Sequence, residues 1–306
     1  MKQNQFLSCD WGTSSFRLRL VNAATGEVTN EVRSEQGIAL THTQWLATKK
    51  PTSERETFYK KIVADAAEQL VRNQTLPLIL SGMASSTIGI SELPYKDFPF
   101  SWNASNLLIK KFEADATLAH TLYLVSGMKC VNDIMRGEET ILFGCEPLSG
   151  SGLYILPGTH SKHVMVENGN AVYFRTYMTG ELFNLMSKNS ILSNSLEHGE
   201  DMEAFEGGVR VTETNNVLNA LFSVRVRQVL FKSSPVSNYQ YLSGLIIGAE
   251  LKDVKNVYSH VHLVGDGPLM QSYETALKIL GIRVTCTSAA AALIKGHGKI
   301  FNEFVA

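Results

Sequence analysis

A short motif that occurs twice limits the possible folds of this chain more than any other feature. In each copy an apolar, strand-like run leads into the pattern Gly-Thr-x-Ser, and a second strand-like run follows. The copies begin at Gly12 and Gly158, 146 residues apart in a chain of 306. Since single cores stop growing near roughly 250–300 residues, two homologous halves explain this spacing economically. We therefore expect two domains, residues 1–150 and 151–306.

Hydrophobic periodicity predicts an α/β protein. In the first half, period-two segments at 16–22 and 27–33 predict an antiparallel meander within the order β-β-β-α-β-α-β-α. The tract 146–152 is rich in Pro, Gly and Ser and predicts the linker. The second half repeats this strand pattern around the second Gly-Thr-x-Ser copy and then becomes mainly helical. Further predicted elements are strands at 76–82, 121–127 and 258–265, an Asn-Gly turn at 168–169, and helices at 138–145, 179–190, 215–230 and 239–252. A helix, a short strand and a last helix are predicted after the strand at 258–265.

The charge balance excludes several classes of partner. The chain has 28 Lys and Arg against 29 Asp and Glu, a net charge of -1, so neither a nucleic acid nor a membrane surface is indicated. The 4 cysteines are far apart and form no Cys-x-x-Cys pair, which argues against a zinc site or a disulfide framework. The first residues lack the apolar core of a signal peptide. We expect a cytoplasmic protein with a small-molecule partner; its oligomeric state is left open, with a homodimer as one option.

The repeated motif has the chemistry of a phosphate-binding loop. Glycine lets backbone N–H groups converge on a ligand, and Thr and Ser hydroxyls add donors. The alternative is that these are ordinary hairpin residues, but the repeat favours two loops that hold a polyphosphate. Asp10 precedes the first loop, and a carboxylate would repel phosphates unless a cation such as Mg²⁺ lay between them. Asp10 is therefore predicted to bind Mg²⁺, directly or through water. The predicted phosphate contacts are Gly12, Thr13, Ser14, Ser15, Gly158, Thr159 and Ser161.

A polar segment at 131–140, VNDIMRGEET, lies between a predicted strand and the second loop. Phosphoryl transfer needs a group that orients or deprotonates the attacking hydroxyl, and Asp133 is the candidate base. Arg136 could pair with an anionic substrate, and Glu138 or Glu139 could hold metal or sugar hydroxyls. The alternative is a helix start with an Asn or Asp of this segment as its N-cap and acids in its first turn.

Seven motifs together give the chain a recognisable pattern. They resemble those of the 2-dehydro-3-deoxygalactonokinases, sugar-acid kinases of the superfamily that includes hexokinase, actin and Hsp70-type ATPases. The resemblance spans nearly the whole chain. It implies two ribonuclease-H-like α/β domains, with ATP, Mg²⁺ and the sugar acid meeting in the cleft between them. The motifs are DWGTSS (10–15), SGMASS (81–86), NDIMRGEET (132–140), LPGTHSK (156–162), MTGELF (178–183), YLSGLIIGAEL (241–251) and LVGDGPL (263–269).

The resemblance also implies roles for particular residues. The first domain would carry the phosphate-1 loop and the catalytic aspartate, Asp133, because the hexokinase-like pattern places such a residue shortly before the phosphate-2 loop. The second domain would carry that loop and an adenosine segment with Gly265 and Gly267. The general superfamily phosphate-2 loop carries an acid before its glycines, whereas this chain has Leu156-Pro157, which argues against metal ligation there. His160 and Lys162 would contact phosphate instead, and the sugar-acid contacts would be Ser81, Gly82, Met83, Ser85, Ser86, Arg136 and Glu138.

The resemblance implies ATP-dependent phosphorylation of 2-dehydro-3-deoxy-D-galactonate, at the terminal hydroxyl to give the 6-phosphate, in galactonate breakdown. One alternative is a kinase of the same architecture for another sugar or sugar acid. Another is a nucleotide-binding regulator without an acceptor, which would not need Asp133. Two motifs predict structure rather than chemistry: Thr179 as a helix N-cap, and Gly244 and Gly248, at helical spacing, as packing residues.

Overall fold

The structure, a computed structural model, describes residues 4–72 and 74–305. It divides into two compact units. Unit 1 contains the chain up to Pro147 together with the segment from Ala289 onwards, and unit 2 contains Leu148–Ser288. The first crossing between the units lies within the predicted linker. The predicted domain limits at residues 1 and 306 lie outside the described residues.

A mixed six-stranded sheet forms the centre of unit 1, in the order β3-β2-β1-β4-β7-β6. The first three strands form the predicted antiparallel meander, β4 and β7 run parallel to β1, and β6 is antiparallel to β7. A second, three-stranded sheet has the order β5-β8-β9. The strands are β1 (Gln5–Trp11), β2 (Phe16–Asn22), β3 (Val28–Ser34), β4 (Leu78–Gly82), β5 (Lys96–Asp97), β6 (Ile109–Phe112), β7 (Leu122–Val125), β8 (Met128–Cys130) and β9 (Asp133–Met135).

Three helices of unit 1 come before the linker: α1 (Ile38–Ala47), α2 (Arg55–Leu70) and α3 (Glu138–Gly144). The predicted helix between β4 and β7 is wrong. That segment forms 3₁₀ turns and the short strands β5 and β6 instead. Pro94 and Pro99 each remove a backbone donor, and the close contact of Gly89 with the carbonyl of Ala84 requires an irregular backbone.

Unit 2 repeats the topology of unit 1. Its sheet has the order β12-β11-β10-β13-β14, which matches β3-β2-β1-β4-β7, with the same antiparallel meander and the same two parallel strands. The turn at Asn168-Gly169 has two positive φ angles, 50° and 76°, as expected for a tight hairpin. The shared strand order confirms the internal duplication. The strands are β10 (Gly152–Leu156), β11 (Ser161–Glu167), β12 (Asn170–Tyr177), β13 (His260–Gly265) and β14 (Arg283–Ser288).

The helices of unit 2 are α4 (Thr179–Asn189), α5 (Met202–Val211), α6 (Val217–Val229), α7 (Pro235–Leu251) and α8 (Gly267–Ile279). Four of these five helices were predicted, and α5 was not. A Cβ atom on Gly244 would lie 2.0 Å from the carbonyl oxygen of Phe205, and one on Gly248 would lie 2.8 Å from Thr212 Oγ1. Helices α5 and α7 therefore pack backbone to backbone, which confirms the packing role of both glycines.

The last helix, α9 (Ala289–Phe304), packs in unit 1 rather than in unit 2. A Cβ atom on Gly144 of α3 would lie 1.7 Å from the carbonyl oxygen of Ala292, and one on Gly296 would lie 2.3 Å from that of Thr140. The ring of Phe301 stacks on that of Phe6, with centroids 5.2 Å apart. The predicted second domain is therefore too long at its C-terminal end.

The nine helices placed in the described ranges include none with the length and apolar character needed to cross a membrane.

The contact between α3 and α9 leads to a stability prediction. Gly144→Ala should lower the free energy of unfolding by at least the roughly 1–3 kcal/mol typical of overpacking, because the new methyl group would meet the α9 backbone. Gly298→Ala is the matched control on α9, since its Cβ would have no atom within 4 Å. Alanine there should stabilise the helix by about 0.5–1 kcal/mol. Thermal denaturation of both variants measures the difference, and equal melting temperatures would contradict the close packing.

Candidate functional site

The first Gly-Thr-x-Ser loop is a tight turn between β1 and β2. The N–H of Gly12 donates to the carbonyl of Ser15 at 2.9 Å, and the N–H of Ile38, at the start of α1, donates to the carbonyl of Gly12 at 2.9 Å. Gly37 lies so close behind the loop that a Cβ atom would be 2.3 Å from the carbonyl oxygen of Thr13. The start of α1 thus supports the loop from behind, which leaves its hydroxyl residues exposed. These are Thr13, Ser14 and Ser15.

The second loop is supported in the same way by the start of α4. The N–H of Glu181 donates to the carbonyl of Thr159 at 3.0 Å, and a Cβ atom on Gly180 would lie 2.6 Å from the carbonyl oxygen of Gly158. The duplication therefore extends to a supporting glycine in each unit. Sequence reasoning missed both glycines, although Gly37 and Gly180 are 143 residues apart, close to the offset of the loops.

Three side chains predicted to contact phosphate make hydrogen bonds within the second loop or to nearby helices. His160 Nε2 lies 2.6 Å from the carboxylate of Glu181. Lys162 is only 4% exposed, and its Nζ donates to the carbonyl of His160 at 3.1 Å. The hydroxyl of Ser161 donates to Glu250 at 2.8 Å. In this loop Thr159 and His160 are exposed and Gly158 is partly exposed.

Glu250 of α7 is the buried centre of unit 2. Its carboxylate accepts hydrogen bonds from Ser161 on β11, from His163 Nε2 at 2.7 Å and from the hydroxyl of Tyr273 on α8 at 2.5 Å. The hydroxyl of Thr179 on α4 donates to the same group. The prediction of Thr179 as N-cap is therefore wrong, and the N-cap of α4 is Met178. Burial, together with the charge of Glu250, raises the pKa of the Tyr273 hydroxyl well above its usual range.

A partly apolar cavity of about 240 Å³ lies beside the start of α4 in unit 2. Its aromatic wall includes Phe183 and Tyr239, whose rings meet edge to face with centroids 5.2 Å apart. Pro268 and Leu269 of the predicted adenosine segment also line it. Ligand cavities of this kind combine apolar walls with a few polar groups. The polar or charged residues that line it are Thr179, His198, Gln240, Ser243 and Ser272.

The predicted adenosine glycines belong to the turn that joins β13 to α8. Gly265 ends β13, and Gly267 begins α8 with a φ of 65°. Between them Asp266 accepts a hydrogen bond from the hydroxyl of Ser288 at 2.7 Å. The structure places this turn beside the cavity through Pro268 and Leu269, the next two residues of the motif.

Asp10 lies near the end of β1, where it pairs with Arg17 of β2 and with Ser81 of β4. Side chains alternate along a strand, and Cys9 and Trp11 point into the core. Asp10 therefore points to the opposite face of the sheet. Burial raises the pKa of its carboxyl, the charges of Arg19 and Arg17 oppose this rise, and the charge of Glu138 adds to it.

Two glycines allow the start of α3 to approach the end of β4. Gly82 has a φ of 96°, and a Cβ atom there would lie 2.6 Å from the carbonyl oxygen of Trp11. Gly137 has a φ of 106°, and its Cβ would lie 3.2 Å from the Cα of Gly82. Glu138, the first residue of α3, follows directly. The glycine contacts thus bring Glu138 into the electrostatic environment of Asp10.

The 81–86 segment is a buried turn that holds Arg136. The guanidinium Nη1 of Arg136 donates to the carbonyl of Ser85 at 2.5 Å and to its hydroxyl at 2.6 Å. The same guanidinium lies 4.2 Å from the centre of the Tyr95 ring. Of the predicted sugar-acid contacts in this segment, Ser81 and Ser86 also use their hydroxyls within the protein, and Met83 is the partly exposed one.

Asp133 lies on a hairpin, so the helix-cap interpretation is wrong. It is the first residue of β9 and pairs with Cys130 of β8 across a two-residue turn. Its carboxylate accepts the N–H of Ile134 at 2.8 Å, and the side chain is partly exposed. The N-cap of α3 is Gly137. The structure therefore separates Asp133 from the acids of α3, which the sequence placed in one continuous segment.

In the residues that the structure describes, no group of three or more His, Cys, Asp or Glu side chains could hold a metal ion. This does not conflict with the expected mode of magnesium binding, in which one or two carboxylates act together with phosphate oxygens of the substrate. Asp10 and Glu138 are the carboxylates that the fold brings together.

Glu139 gives a pH-dependent prediction. Burial, with a smaller effect of the Glu138 charge, raises the pKa of this fully buried carboxyl from 4.5 to about 7. The folded state then favours the protonated form, so the stability that Glu139 contributes is complete below pH 4.5 and is lost as the pH rises to about 7. Glu139→Gln should remove this loss, which is on the order of 3 kcal/mol.

Urea unfolding of the native protein and of Glu139→Gln at pH 5 and at pH 7.5 measures this effect. The variant should gain stability relative to the native protein at the higher pH. Glu113→Gln is the control, because that side chain is exposed. A stability difference that did not change with pH would contradict the assignment.

Comparison with known proteins identifies the family. The family model described as 2-keto-3-deoxy-galactonokinase matches residues 10–300. The chain is 30% identical to the 2-dehydro-3-deoxygalactonokinase of Escherichia coli (strain K12), over 95% of this chain and 96% of that protein. It is 31% identical to a probable 2-dehydro-3-deoxygalactonokinase of Rhizobium meliloti (strain 1021), over 95% and 94% of the two chains.

Solved structures agree with this assignment. A crystal structure from Sinorhizobium meliloti that carries the same kinase name has a TM-score of 0.81 at 30% identity, covering 98% of this chain and 100% of that chain. The activator of the 2-hydroxyisocaproyl-CoA dehydratase from Clostridium difficile shares the fold, with a TM-score of 0.50 at 10% identity over 98% and 95% of the chains. The resemblance found in the motifs and the predicted α/β fold of the actin-like ATPases are confirmed. The chain therefore belongs to the 2-keto-3-deoxy-galactonokinase family and is a sugar-acid kinase, a phosphotransferase with an alcohol acceptor.

Proposed function

We propose that the protein transfers the γ-phosphoryl group of ATP to the terminal hydroxyl of 2-dehydro-3-deoxy-D-galactonate, in the cytoplasm, as a step of galactonate breakdown. The observation that carries this proposal is the family match over residues 10–300, which includes both phosphate loops, the 131–140 segment and the adenosine segment. The relatives' names supply the substrate. The structure supports the proposal with one Gly-Thr-x-Ser loop in each unit, and the start of a helix packs behind each loop.

Unit 2 is the proposed nucleotide side. The backbone N–H groups of Gly158 and Thr159 would bind phosphate oxygens, because N–H groups in such a loop form an anion site. The 240 Å³ cavity would accept the base and ribose between α4, α7 and α8. A protein with this fold has been solved with bound ADPNP, which supports a nucleotide here. Glu250 would act indirectly, since it fixes the loop through Ser161 and the cavity wall through Thr179.

Unit 1 is the proposed metal and acceptor side. Asp10 fits a magnesium role, because its partly desolvated carboxylate gains most when a cation neutralises it. When bound, Mg²⁺ would screen the charge of the phosphates during transfer. The charge of the buried Arg19 already favours the ionised form of the Asp10 carboxyl.

The base is the role for which structure and sequence favour different residues. Asp133 stays the prediction from the motif. The geometry favours Glu138, because it stands in the first turn of α3 and is close enough to Asp10 to raise the pKa of that carboxyl. A base should lie beside the metal-bound phosphates, since the hydroxyl that it deprotonates attacks there. We therefore propose Glu138 as the base and keep Asp133 as the alternative.

Arg136 is the proposed contact for the carboxylate of the sugar acid. Ser85 and Tyr95 already hold its guanidinium, so binding would cost little side-chain freedom. Its Nε is buried and has no hydrogen-bond partner among the residues at 4–72 and 74–305. Arginine can bind a carboxylate through two parallel hydrogen bonds, which lysine cannot do.

An assay of ATP consumption over a panel of sugar acids tests this function. We expect the highest kcat/KM for 2-dehydro-3-deoxy-D-galactonate and a phosphate on its terminal carbon, seen by ³¹P NMR. The matched controls are its gluconate epimer and D-galactonate, which has no 2-oxo group. A higher kcat/KM for another acid would replace the substrate, and no acceptor-dependent ATP consumption would favour the nucleotide-binding regulator.

A further inference from the structure

His297 of α9 is a fully buried histidine that joins two strands of unit 1. Its Nδ1 lies 2.7 Å from the hydroxyl of Ser8 on β1, and its Nε2 lies 3.0 Å from the hydroxyl of Ser81 on β4. Burial lowers the pKa of the ring to about 3, so it is neutral and one nitrogen donates while the other accepts. Each hydroxyl can take the complementary role. In this neutral state the ring is hydrogen-bonded at both nitrogens.

Both serines are tied to Asp10. Ser81 is its register partner across β1 and β4, and Ser8 lies two residues earlier on the same face of β1. The bridge from His297 therefore joins the two strands where the carboxylate of Asp10 projects from the sheet. Ser81 also precedes Gly82, the residue on which the start of α3 rests.

The same helix fixes α3. Gly296, next to His297, lies against the carbonyl of Thr140 on α3, and Ala292 lies against Gly144. One helix thus contacts both elements that carry the site acids: the ends of β1 and β4 with Asp10, and α3 with Glu138. A shift of α9 would change the distance between the two carboxylates.

We propose that His297 is a positioning residue for phosphoryl transfer, which it serves by fixing Ser81 and with it the placement of Asp10 relative to Glu138. The inference rests on the proposed roles of Asp10 and Glu138. His297 does not touch substrate in this scheme. Its contribution is geometric, and a misplacement of about 1 Å in a phosphoryl-transfer site can cost on the order of 10²-fold in rate.

The two ring nitrogens allow the roles of the two bonds to be separated. In His297→Gln the amide can take the place of Nε2 and keep the bond to Ser81, whereas in His297→Asn it can take the place of Nδ1 and keep the bond to Ser8. We expect His297→Asn to lower kcat per folded molecule by roughly 10–100-fold, with the KM for ATP changed less than about twofold. His297→Gln should recover most of that loss.

His120→Gln is the matched control. His120 is also buried in unit 1, but it accepts a hydrogen bond from the backbone N–H of Leu76, which precedes β4. The His120→Gln variant should have a melting temperature lowered about as much as that of the His297 variants, with kcat per folded molecule unchanged. If the His297 variants fail to fold, Ser81→Ala and Ser8→Ala replace them: the first should lower kcat and the second should not.

Several results would overturn the inference. Normal kcat per folded molecule in His297→Asn and Ser81→Ala would show that the bridge only stabilises the fold, and so would equal losses in the Asn and Gln variants. In both cases the native protein would still phosphorylate the sugar acid, so the proposed function would stand. A native protein that phosphorylated no acceptor would instead remove the proposed function, and this inference with it.

Discussion

The placement of the site acids in unit 1 depends on one close backbone contact at the ends of β1 and β4. Gly82 lies so near the carbonyl of Trp11 that no side chain fits between them, and Gly137 rests on Gly82 in turn. Because no side chain separates these segments, α3 can begin directly above the sheet. Glu138 then comes close to Asp10, which projects from the same end of β1. This contact brings together two acids that are 128 positions apart in the chain.

The two units support their Gly-Thr-x-Ser loops in the same way but place different side chains around them. Gly37 and Gly180 each place the first turn of a helix behind a Gly-Thr-x-Ser loop, so both loops are held by backbone contacts. Around the first loop the fold gathers carboxylates. Around the second it buries its central carboxylate, Glu250, under four donors and opens a cavity beside it. This division is the reason why we propose metal and acceptor chemistry for unit 1 and nucleotide binding for unit 2.

The sequence could predict what is encoded locally or by repetition. The loops, the meanders and the duplication follow from residue periodicity and from a motif that occurs twice. The features that it could not predict depend on contacts between distant residues. His297 is 289 positions from Ser8, so nothing local shows that α9 belongs to unit 1. The sequence shows Glu250 only as part of a packing helix. Its role as an acceptor is not visible there, because its hydrogen-bond donors lie on other elements. For Asp133, the candidate base, a helix cap stayed open as the alternative, since a hairpin of three-residue strands gives almost no periodic signal.

We propose that Glu138, held next to Asp10 by the glycine contacts, deprotonates the acceptor hydroxyl. Single-turnover phosphorylation by Glu138→Gln and by Asp133→Asn, each corrected for folded fraction, tests it most directly. We expect Glu138→Gln to slow the chemical step by roughly 10²–10⁴-fold, with ATP affinity little changed, and Asp133→Asn to stay within a fewfold of the native rate. The reverse order, with Asp133→Asn nearly inactive and Glu138→Gln close to native, would contradict the account.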